Sequence, residues 1–185
     1  DPDGRRLVLF GGHDARAYPA GGTWFNDTWT LELDGIPRWT LLAPTGTLPV
    51  ARRGHTAVYD APNKRMVIFG GLTATGAYRN DTMVLTLGAH PAWSTLSLVN
   101  IPQAREGHVA IFDPYHGRML IHGGNNASTT FADMRELNLS GTPAWNVVTT
   151  SSAPPAARSH HSVLLDGARG RMVIMGGQGA ANFDD

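Results

Sequence analysis

Cysteine is absent from this chain of 185 residues. Its absence excludes disulfide bonds, Cys-ligated zinc and thiol nucleophiles. Long apolar runs are also missing, and none approaches the ~20 residues that a membrane-spanning helix needs. The formal net charge is zero, with 15 basic and 15 acidic residues, and no stretch concentrates either sign. We therefore expect neither membrane insertion nor a face that binds nucleic acid.

Lysine is scarce as well, since Lys64 is the only one among the 15 lysine and arginine residues. Such a bias toward arginine is typical of a GC-rich bacterial genome, and we therefore expect a bacterial protein. For its location we favour the extracellular space or the periplasm, which makes it a secreted protein.

Glycine and proline are abundant instead, with 22 and 12 residues, a composition that favours short strands joined by turns. Four Gly-Gly doublets each end an apolar run, and such runs are typical of buried strands. The doublets are Gly11-Gly12, Gly70-Gly71, Gly123-Gly124 and Gly176-Gly177. The last three are spaced by 53 residues, and the first gap is 59 residues. The chain is therefore predicted to be built from repeats.

Other sequence marks keep the same period. The pattern Pro-x-Ala-Arg-x-x-His occurs at residues 49–55, 102–108 and 155–161, and Pro-x-Trp ends at Trp39, Trp93 and Trp145. Each repeat is predicted to hold four strands, near residues 55–59, 66–69, 82–87 and 93–98 in the second copy. The short connections make neighbouring strands antiparallel. Four strands at this period are the signature of a β-propeller blade.

The order of these marks resembles the kelch repeat. A strand that ends in Gly-Gly is followed by Asn-Asp-Thr-Trp at residues 26–29, then by Trp39, and then by Arg-x-Gly-His at residues 52–55. The registered copies cover essentially the whole chain. The resemblance implies an all-β fold, a β-propeller with blades of four antiparallel strands, related to the central domain of galactose oxidase.

Both ends of the chain fall inside a repeat. Asp1 precedes Arg6 by five residues, as Asp60 precedes Arg65. We expect one propeller segment with repeats at about 1–47, 48–100, 101–153 and, in part, 154–185. Strand counts of three, four, four and two leave about three full blades and an open arc. Three interpretations stay open: a piece of a longer propeller, two copies that close one ring, or a stable or excised arc.

Residues that recur in every copy are expected to build the blade rather than bind a ligand. The tryptophans fill the gap between blades. Three recurrent histidines suggest a metal site, yet equivalent positions on sheets about 10 Å apart do not converge to the ~2 Å that zinc requires. We expect the recurrent arginines and histidines to tie one blade to the next, with no metal, cofactor or catalytic residue. His122, which replaces Phe or Met, is expected to be a hydrogen-bonded core histidine.

Residues that vary between copies are predicted to share one rim of the propeller. The connection after each second strand and the connection before each first strand lie there, because second and fourth strands run in the same direction. The sequence places Arg53, Glu106 and His160 at one repeat position, and the loop at residues 13–26 is the longest. The expected ligand-binding residues are Asp14, Arg16, Tyr18, Trp24, Arg53, Tyr78, Arg79, Glu106, Asn125, Asn126 and His160.

This rim mixes arginine, aromatic and asparagine side chains, which is the composition of a recognition surface. The alternative is a set of solvated loops without a ligand, in which the first loop packs over its own blade and buries Trp24 and Phe25.

Two functional classes stay open. The first is a binding scaffold that recognises a protein, a peptide or a glycan through this rim. The second is part of a secreted carbohydrate-active or galactose-oxidase-like enzyme. The galactose oxidase family uses copper and a Cys-linked tyrosine, and this chain has no cysteine. Catalytic residues of such an enzyme would lie outside the chain, and no catalytic motif occurs within it, so we favour the scaffold.

Overall fold

The chain folds into antiparallel β-sheets that follow one another as blades. The computed structural model describes residues 1–2, 4–14 and 22–185. This part of the chain contains no helix and so none that could span a membrane. Its strands of four or more residues number three, four, four and two in the successive blades. The predicted all-β architecture, an incomplete propeller with partial blades at its ends, is confirmed.

The first blade consists of β1 (Arg6–His13), β2 (Trp24–Glu32) and β3 (Arg38–Leu42). Two short strands follow on the linker to the second blade, β4 (Thr45–Gly46) and β5 (Arg52–Arg53). A register shift between Phe10 and Gly12 marks a bulge, beyond which the β1–β2 ladder continues to the pair His13–Trp24. Trp24, expected in the first loop, is therefore the first residue of a strand.

The second blade consists of β6 (Thr56–Asp60), β7 (Arg65–Phe69), β9 (Thr82–Thr86) and β10 (Ala92–Thr95), with the short β8 (Leu72–Thr73) after β7. The four long strands pair antiparallel in chain order. The linker strand β4 pairs in parallel with β10, and β5 pairs antiparallel with β8. The linker thus runs along the outer edge of this blade and then crosses one end of it to reach β6.

The third blade repeats this order with β11 (Val109–Asp113), β12 (Arg118–His122), β13 (Met134–Asn138) and β14 (Ala144–Val147). The fourth blade contributes β15 (Ser162–Asp166) and β16 (Arg171–Met175), and then the short pair β17 (Gly177–Gln178) and β18 (Asn182–Phe183). β11 contacts both β6 and β15. The first strands of successive blades therefore line the inside of the arc.

Apolar side chains fill the spaces between blades. Strand alternation gives each second strand two apolar faces, one toward the preceding blade and one toward the next. In β7, Met66 and Ile68 pack toward the first blade, while Val67 and Phe69 pack toward the third. The core is therefore a series of interfaces between sheets rather than a single centre.

Trp93 and Trp145 occupy these interfaces, as the repeat predicts. Each indole nitrogen donates to a threonine hydroxyl of the preceding blade, Thr28 and Thr82 respectively, at 3.3 Å. Both tryptophans are almost completely buried. Trp39 holds the same repeat position but is 51% exposed, because no other blade of the described chain covers that face of the first blade.

Two chain segments pack so closely against Gly70-Gly71 that both positions require glycine. A Cβ atom at Gly70 would lie 2.7 Å from the carbonyl oxygen of Arg105, and one at Gly71 would lie 2.8 Å from that of Arg53. Both glycines have a positive φ, 71° and 102°. The linker before the blade and the linker after it thus both rest on the doublet, which explains why the doublets and the Pro-x-Ala-Arg pattern share one period.

Candidate functional site

Arg105 joins the second blade to the third. Its backbone nitrogen donates to the carbonyl of Arg79 at 3.1 Å, and its carbonyl accepts from the nitrogen of Gly71 at 2.8 Å. Its guanidinium donates to the carbonyl of Gly123 at 2.8 Å and to both carboxylate oxygens of Asp133 at 2.6 and 3.0 Å. The guanidinium holds the pKa of Asp133 below its usual range despite burial, which acts to raise it. The predicted blade-tying role of the arginine is confirmed.

The same arrangement recurs around the other two repeat arginines. Arg52 binds Gly70 and Asp81, and Arg158 binds Gly176 and Asp185. Asp81 and Asp133 stand directly before the third strands of their blades, β9 and β13. These ion pairs are bidentate and their guanidinium side chains are at least 97% buried. They fix the frame, which leaves these residues without capacity for a ligand.

The recurrent histidines face the preceding blade rather than one another. The Nε2 atom of His108 lies 2.8 Å from the hydroxyl of Thr56, and its ring packs edge-on against Phe69. His55 packs against Phe10 in the same way. Burial, with a smaller effect of the adjacent arginine, lowers the pKa of His108 to about 3 and that of His55 to about 4. Both side chains are therefore neutral at physiological pH and serve as packing residues.

His122 is buried as predicted, but only half of its hydrogen-bonding capacity is used within the described chain. Its Nδ1 atom lies 3.2 Å from the Nε2 atom of His161, and its Nε2 atom has no partner there. The hydrogen-bonded core histidine expected from the sequence is thus a histidine pair at the boundary between the third and fourth blades.

One end of the arc brings the variable linker residues together near the inner strands. We call this the axial rim and define it by Arg53, Gly54, Glu106, Gly107, Ser159 and His160. The nitrogen of Gly107 donates to the carbonyl of Gly54 at 2.9 Å, and that of His160 donates to the carbonyl of Gly107 at 2.7 Å. Three successive blades are therefore linked by backbone hydrogen bonds, and their variable side chains stand side by side.

His160 does not hold the repeat position that the sequence analysis gave it. Ser159 is the equivalent of Arg53 and Glu106, and His160 is the equivalent of Gly54 and Gly107. Its φ of 55° matches the 62° of both glycines. A histidine in this left-handed region is uncommon, and such strain concentrates at functional positions. The ring of His160 lies over Gly107, where a Cβ atom would meet it at 2.8 Å.

One residue of each linker in the axial rim pairs across a short ladder with the residue that follows a Gly-Gly doublet. The pairs are Arg53–Leu72, Glu106–Asn125 and Ser159–Gln178. His13 follows the first doublet and packs its ring at 4.5 Å from that of Trp24. The guanidinium of Arg53 lies 5.4 Å from the centre of the Trp24 ring and 3.6 Å from the carboxylate of Glu106. Trp24, Arg53, Glu106, Asn125 and His160 therefore form one continuous surface.

Other predicted residues lie outside this surface or serve the frame. Asn126 caps its own loop, since its Oδ1 atom accepts from the nitrogens of Ser128 and Thr129. Arg79 contributes its carbonyl to Arg105 and lies 3.5 Å from the carboxylate of Asp81. Tyr78 pairs with Leu72 at the outer part of the rim, and Asp14 pairs with Thr23. Arg16 and Tyr18 lie outside the described residues.

His13, Ser159 and Gln178 belong to the surface but were not predicted. A simple signal was available for two of them. The residues directly after the four doublets are His13, Leu72, Asn125 and Gln178, which differ in every copy. A comparison at that single repeat position would have selected His13 and Gln178 together with Asn125.

The family described as the KLHDC2/KLHL20/DRC7 Kelch-repeats domain matches residues 2–185 of the chain. The chain belongs to the kelch-repeat family. It is 33% identical over 178 residues to Adagio protein 3 of Arabidopsis thaliana, an alignment that covers 94% of the chain and 27% of that protein. This kelch segment thus spans about a quarter of the length of that relative.

Further relatives come from other eukaryotes. Dynein regulatory complex subunit 7 of Chlamydomonas reinhardtii is 32% identical over 122 residues, which covers 66% of the chain and 10% of that protein. Host cell factor 1 of Rattus norvegicus is 28% identical over 202 residues, which covers 99% of the chain and 9% of that protein. These relatives give no support to the bacterial and secreted origin expected from the arginine bias.

Proposed function

We propose that this kelch segment is a scaffold that binds a protein or peptide through the axial rim and the adjoining loops. The observation that carries the proposal is the contrast between two sets of repeat positions at one end of the arc. The arginines of the three linkers and their aspartates hold the frame together, whereas the cross-strand pairs beside them differ in charge and size. A rigid frame with variable, partly exposed side chains is suited to specific recognition.

The proposal extends to the organisation of the chain. We propose that residues 1–185 form one propeller segment with repeats at about 1–47, 48–100, 101–153 and 154–185. Support comes from the apolar interfaces that join the first blade to the second and the second to the third. Further blades, from a longer chain or from a second copy, would cover the apolar faces at the two ends.

A peptide-display selection on the purified chain tests the binding proposal. Peptides enriched by the wild-type chain are expected to lose binding at least about tenfold with Trp24→Ala, since a truncated aromatic anchor costs 2 kcal/mol or more. Tyr115→Ala is the matched control, because Tyr115 is an exposed aromatic residue at the opposite end of the blades. Peptides that depend on Tyr115 and not on Trp24 would refute the proposal. A glycan array, probed in parallel, would refute it if a glycan binds through Trp24 and no peptide does.

A further inference from the structure

The Glu106 side chain is largely buried, but its carboxylate oxygens keep access to solvent and accept no hydrogen bond within the described part of the chain. Its side chain is 9% exposed, and Arg53, the nearest cation among the described residues, lies 3.6 Å away with 45% of its side chain exposed. That separation exceeds hydrogen-bonding distance. A largely buried carboxylate with free acceptor positions favours a charge-assisted hydrogen bond from a cation. Glu106 therefore retains acceptor capacity that the described chain does not fill.

Gly54 packs against the carboxylate of Glu106 and, because it has no side chain, leaves room for it. A Cβ atom at Gly54 would stand 2.7 Å from Oε2 of Glu106 and 3.0 Å from its Cβ atom. Any side chain at this position would therefore push the carboxylate away. Gly54 also has a φ of 62°, which favours glycine. The second blade thus provides a bare backbone surface against which the carboxylate of the third blade is held.

Asn125 adds a second acceptor on the same face. Its backbone exchanges two hydrogen bonds of 2.9 Å with Glu106, so the two residues are direct cross-strand neighbours. Side chains of such neighbours leave the ladder on one face, with Cβ atoms about 5 Å apart. The Oδ1 atom of Asn125 is buried and accepts no hydrogen bond within the described part of the chain. One carboxylate and one amide oxygen therefore lack donors side by side.

We propose that Glu106 and Asn125 form a subsite for a cationic N–H donor, the side chain of a lysine or arginine of the bound protein. This inference rests on the proposed function and names the chemistry of its partner. The ammonium or guanidinium group donates to both acceptors at once, and its charge compensates that of the carboxylate. Arg53 covers the carboxylate in the unbound state. On binding it moves toward the ring of Trp24, which already lies 5.4 Å from its guanidinium.

An anionic ligand on Arg53 fits these observations less well. The side chain of Arg53 is 45% exposed and can be hydrated, whereas that of Glu106 is only 9% exposed. An anion bound to Arg53 would also stand within a few ångströms of the Glu106 carboxylate, and two like charges at that distance repel strongly in a partly buried place. The charge of the site thus favours a cation over an anion.

The test is a titration of the chain with N-acetyl arginine amide, followed by the backbone amide signals of Glu106 and Asn125 and the side-chain amide signal of Asn125 in nitrogen–proton correlation spectra. We expect saturable shifts at these signals with the arginine derivative and much weaker binding of the neutral citrulline derivative. Glu106→Gln should weaken binding at least about tenfold, the loss of one charge-assisted contact. Glu136→Gln, which removes a carboxylate of β13 away from the rim, should leave binding unchanged.

Arg53→Gln gives the sharper result, because it removes the competing cation and should strengthen binding of the arginine derivative several-fold. Asn125→Asp should also strengthen it and keeps the test open if Glu106→Gln does not fold. Weaker binding in Arg53→Gln, or equal binding of the citrulline derivative, would overturn the inference. If displayed peptides depend on Trp24 but carry no cation requirement, the inference fails while the proposed function stands. If the arginine derivative binds but no peptide does, the proposed function fails alone.

Discussion

The Nδ1 atom of His122 lies 3.2 Å from the Nε2 atom of His161, across the boundary between the third and fourth blades. At the preceding boundary the equivalent histidine, His108, finds the hydroxyl of Thr56 instead. The third blade has Val109 where the second has Thr56, and it has His122 where the second has Phe69. The two differences compensate each other, because the partner lost with the threonine is supplied by the histidine.

A double-mutant cycle tests this compensation. His122→Phe alone leaves the Nε2 atom of His161 without a partner and should cost about 1–3 kcal/mol of stability. Adding Val109→Thr restores the hydroxyl found at the preceding boundary, so the double variant should be more stable than the sum of the single effects by about 1 kcal/mol. Urea unfolding of the four proteins measures the coupling. Additive effects would show that the two positions are independent.

The buried histidines predict how stability depends on pH. Burial lowers the pKa of His55 and His161 to about 4 and that of His108 to about 3, against about 6.5 in an unfolded chain. Between these values the unfolded state binds protons that the folded state does not. The free energy of unfolding should therefore fall as the pH drops below about 6.5, with a slope of up to about 1.4 kcal/mol per pH unit for each histidine.

Urea unfolding between pH 4 and pH 8 measures this slope. The ion-paired carboxylates of Asp81 and Asp133 do not account for this slope. Their pKa values lie below the usual range, so these groups become protonated only at lower pH. His108→Gln, which keeps a donor for Thr56, should flatten the slope, because it removes one of the buried histidines that cause it. His90→Gln, at an exposed position, should keep it. A stability that stays constant from pH 7 to pH 5 would contradict the prediction.

The repeat distinguishes a structural arginine from a variable one. Arg105→Ala leaves the carboxylate of Asp133 without its bidentate partner and should cost about 3–5 kcal/mol. Arg53→Ala removes an exposed side chain whose ion pair with Glu106 is 3.6 Å long, and should cost less than about 1 kcal/mol. Urea denaturation midpoints compare the two. Equal midpoints would mean that recurrence does not separate frame residues from surface residues in this chain.

Contacts that recur from blade to blade can be predicted from the sequence, whereas contacts that occur at one place only cannot. The Gly-Gly doublets, Trp93 and Arg105 recur because each satisfies a contact between blades, so the blade order and most strand positions are visible in the sequence. Trp24 was misplaced because the ladder continues beyond the bulge at Phe10 and Gly12. The Gly11-Gly12 doublet marks the bulge in the sequence but not the continuation of the ladder. The contact between Glu106 and Gly54 joins residues of two different linkers, and no repeated pattern in the sequence indicates it.

The left-handed backbone conformation of His160 is expected to lower the stability of the protein. His160 adopts a φ of 55° at a position where the other copies have glycine. His160→Gly removes that strain and should leave the protein as stable or more stable, by up to about 1 kcal/mol. His160→Val keeps the strained backbone with a β-branched side chain and should cost about 1–2 kcal/mol. Thermal unfolding of the two variants measures the difference, and a loss of stability in His160→Gly would assign the ring a structural role.

The two end faces of the arc predict that the isolated chain self-associates. Leu7 and Leu9 of the first blade are 54% and 44% exposed, whereas the equivalent Met66 and Ile68 are almost fully buried against the first blade. At the other end Leu164 and Met175 are 65% and 63% exposed, whereas the equivalent Val58 and Phe69 are buried. Contact between the fourth blade of one copy and the first blade of another would reproduce an interior interface, which is a head-to-tail arrangement.

Sedimentation velocity over a range of concentrations should therefore show association of the wild-type chain. Leu9→Arg and Leu164→Arg each block one face, so either variant alone should be monomeric. An equimolar mixture of the two should form a dimer, because each variant still offers the face that the other lacks. A dimer of Leu164→Arg alone would indicate contact between two first blades, and a monomeric wild-type chain at every concentration would contradict the prediction. Only the head-to-tail arrangement predicts that two monomeric variants associate when mixed.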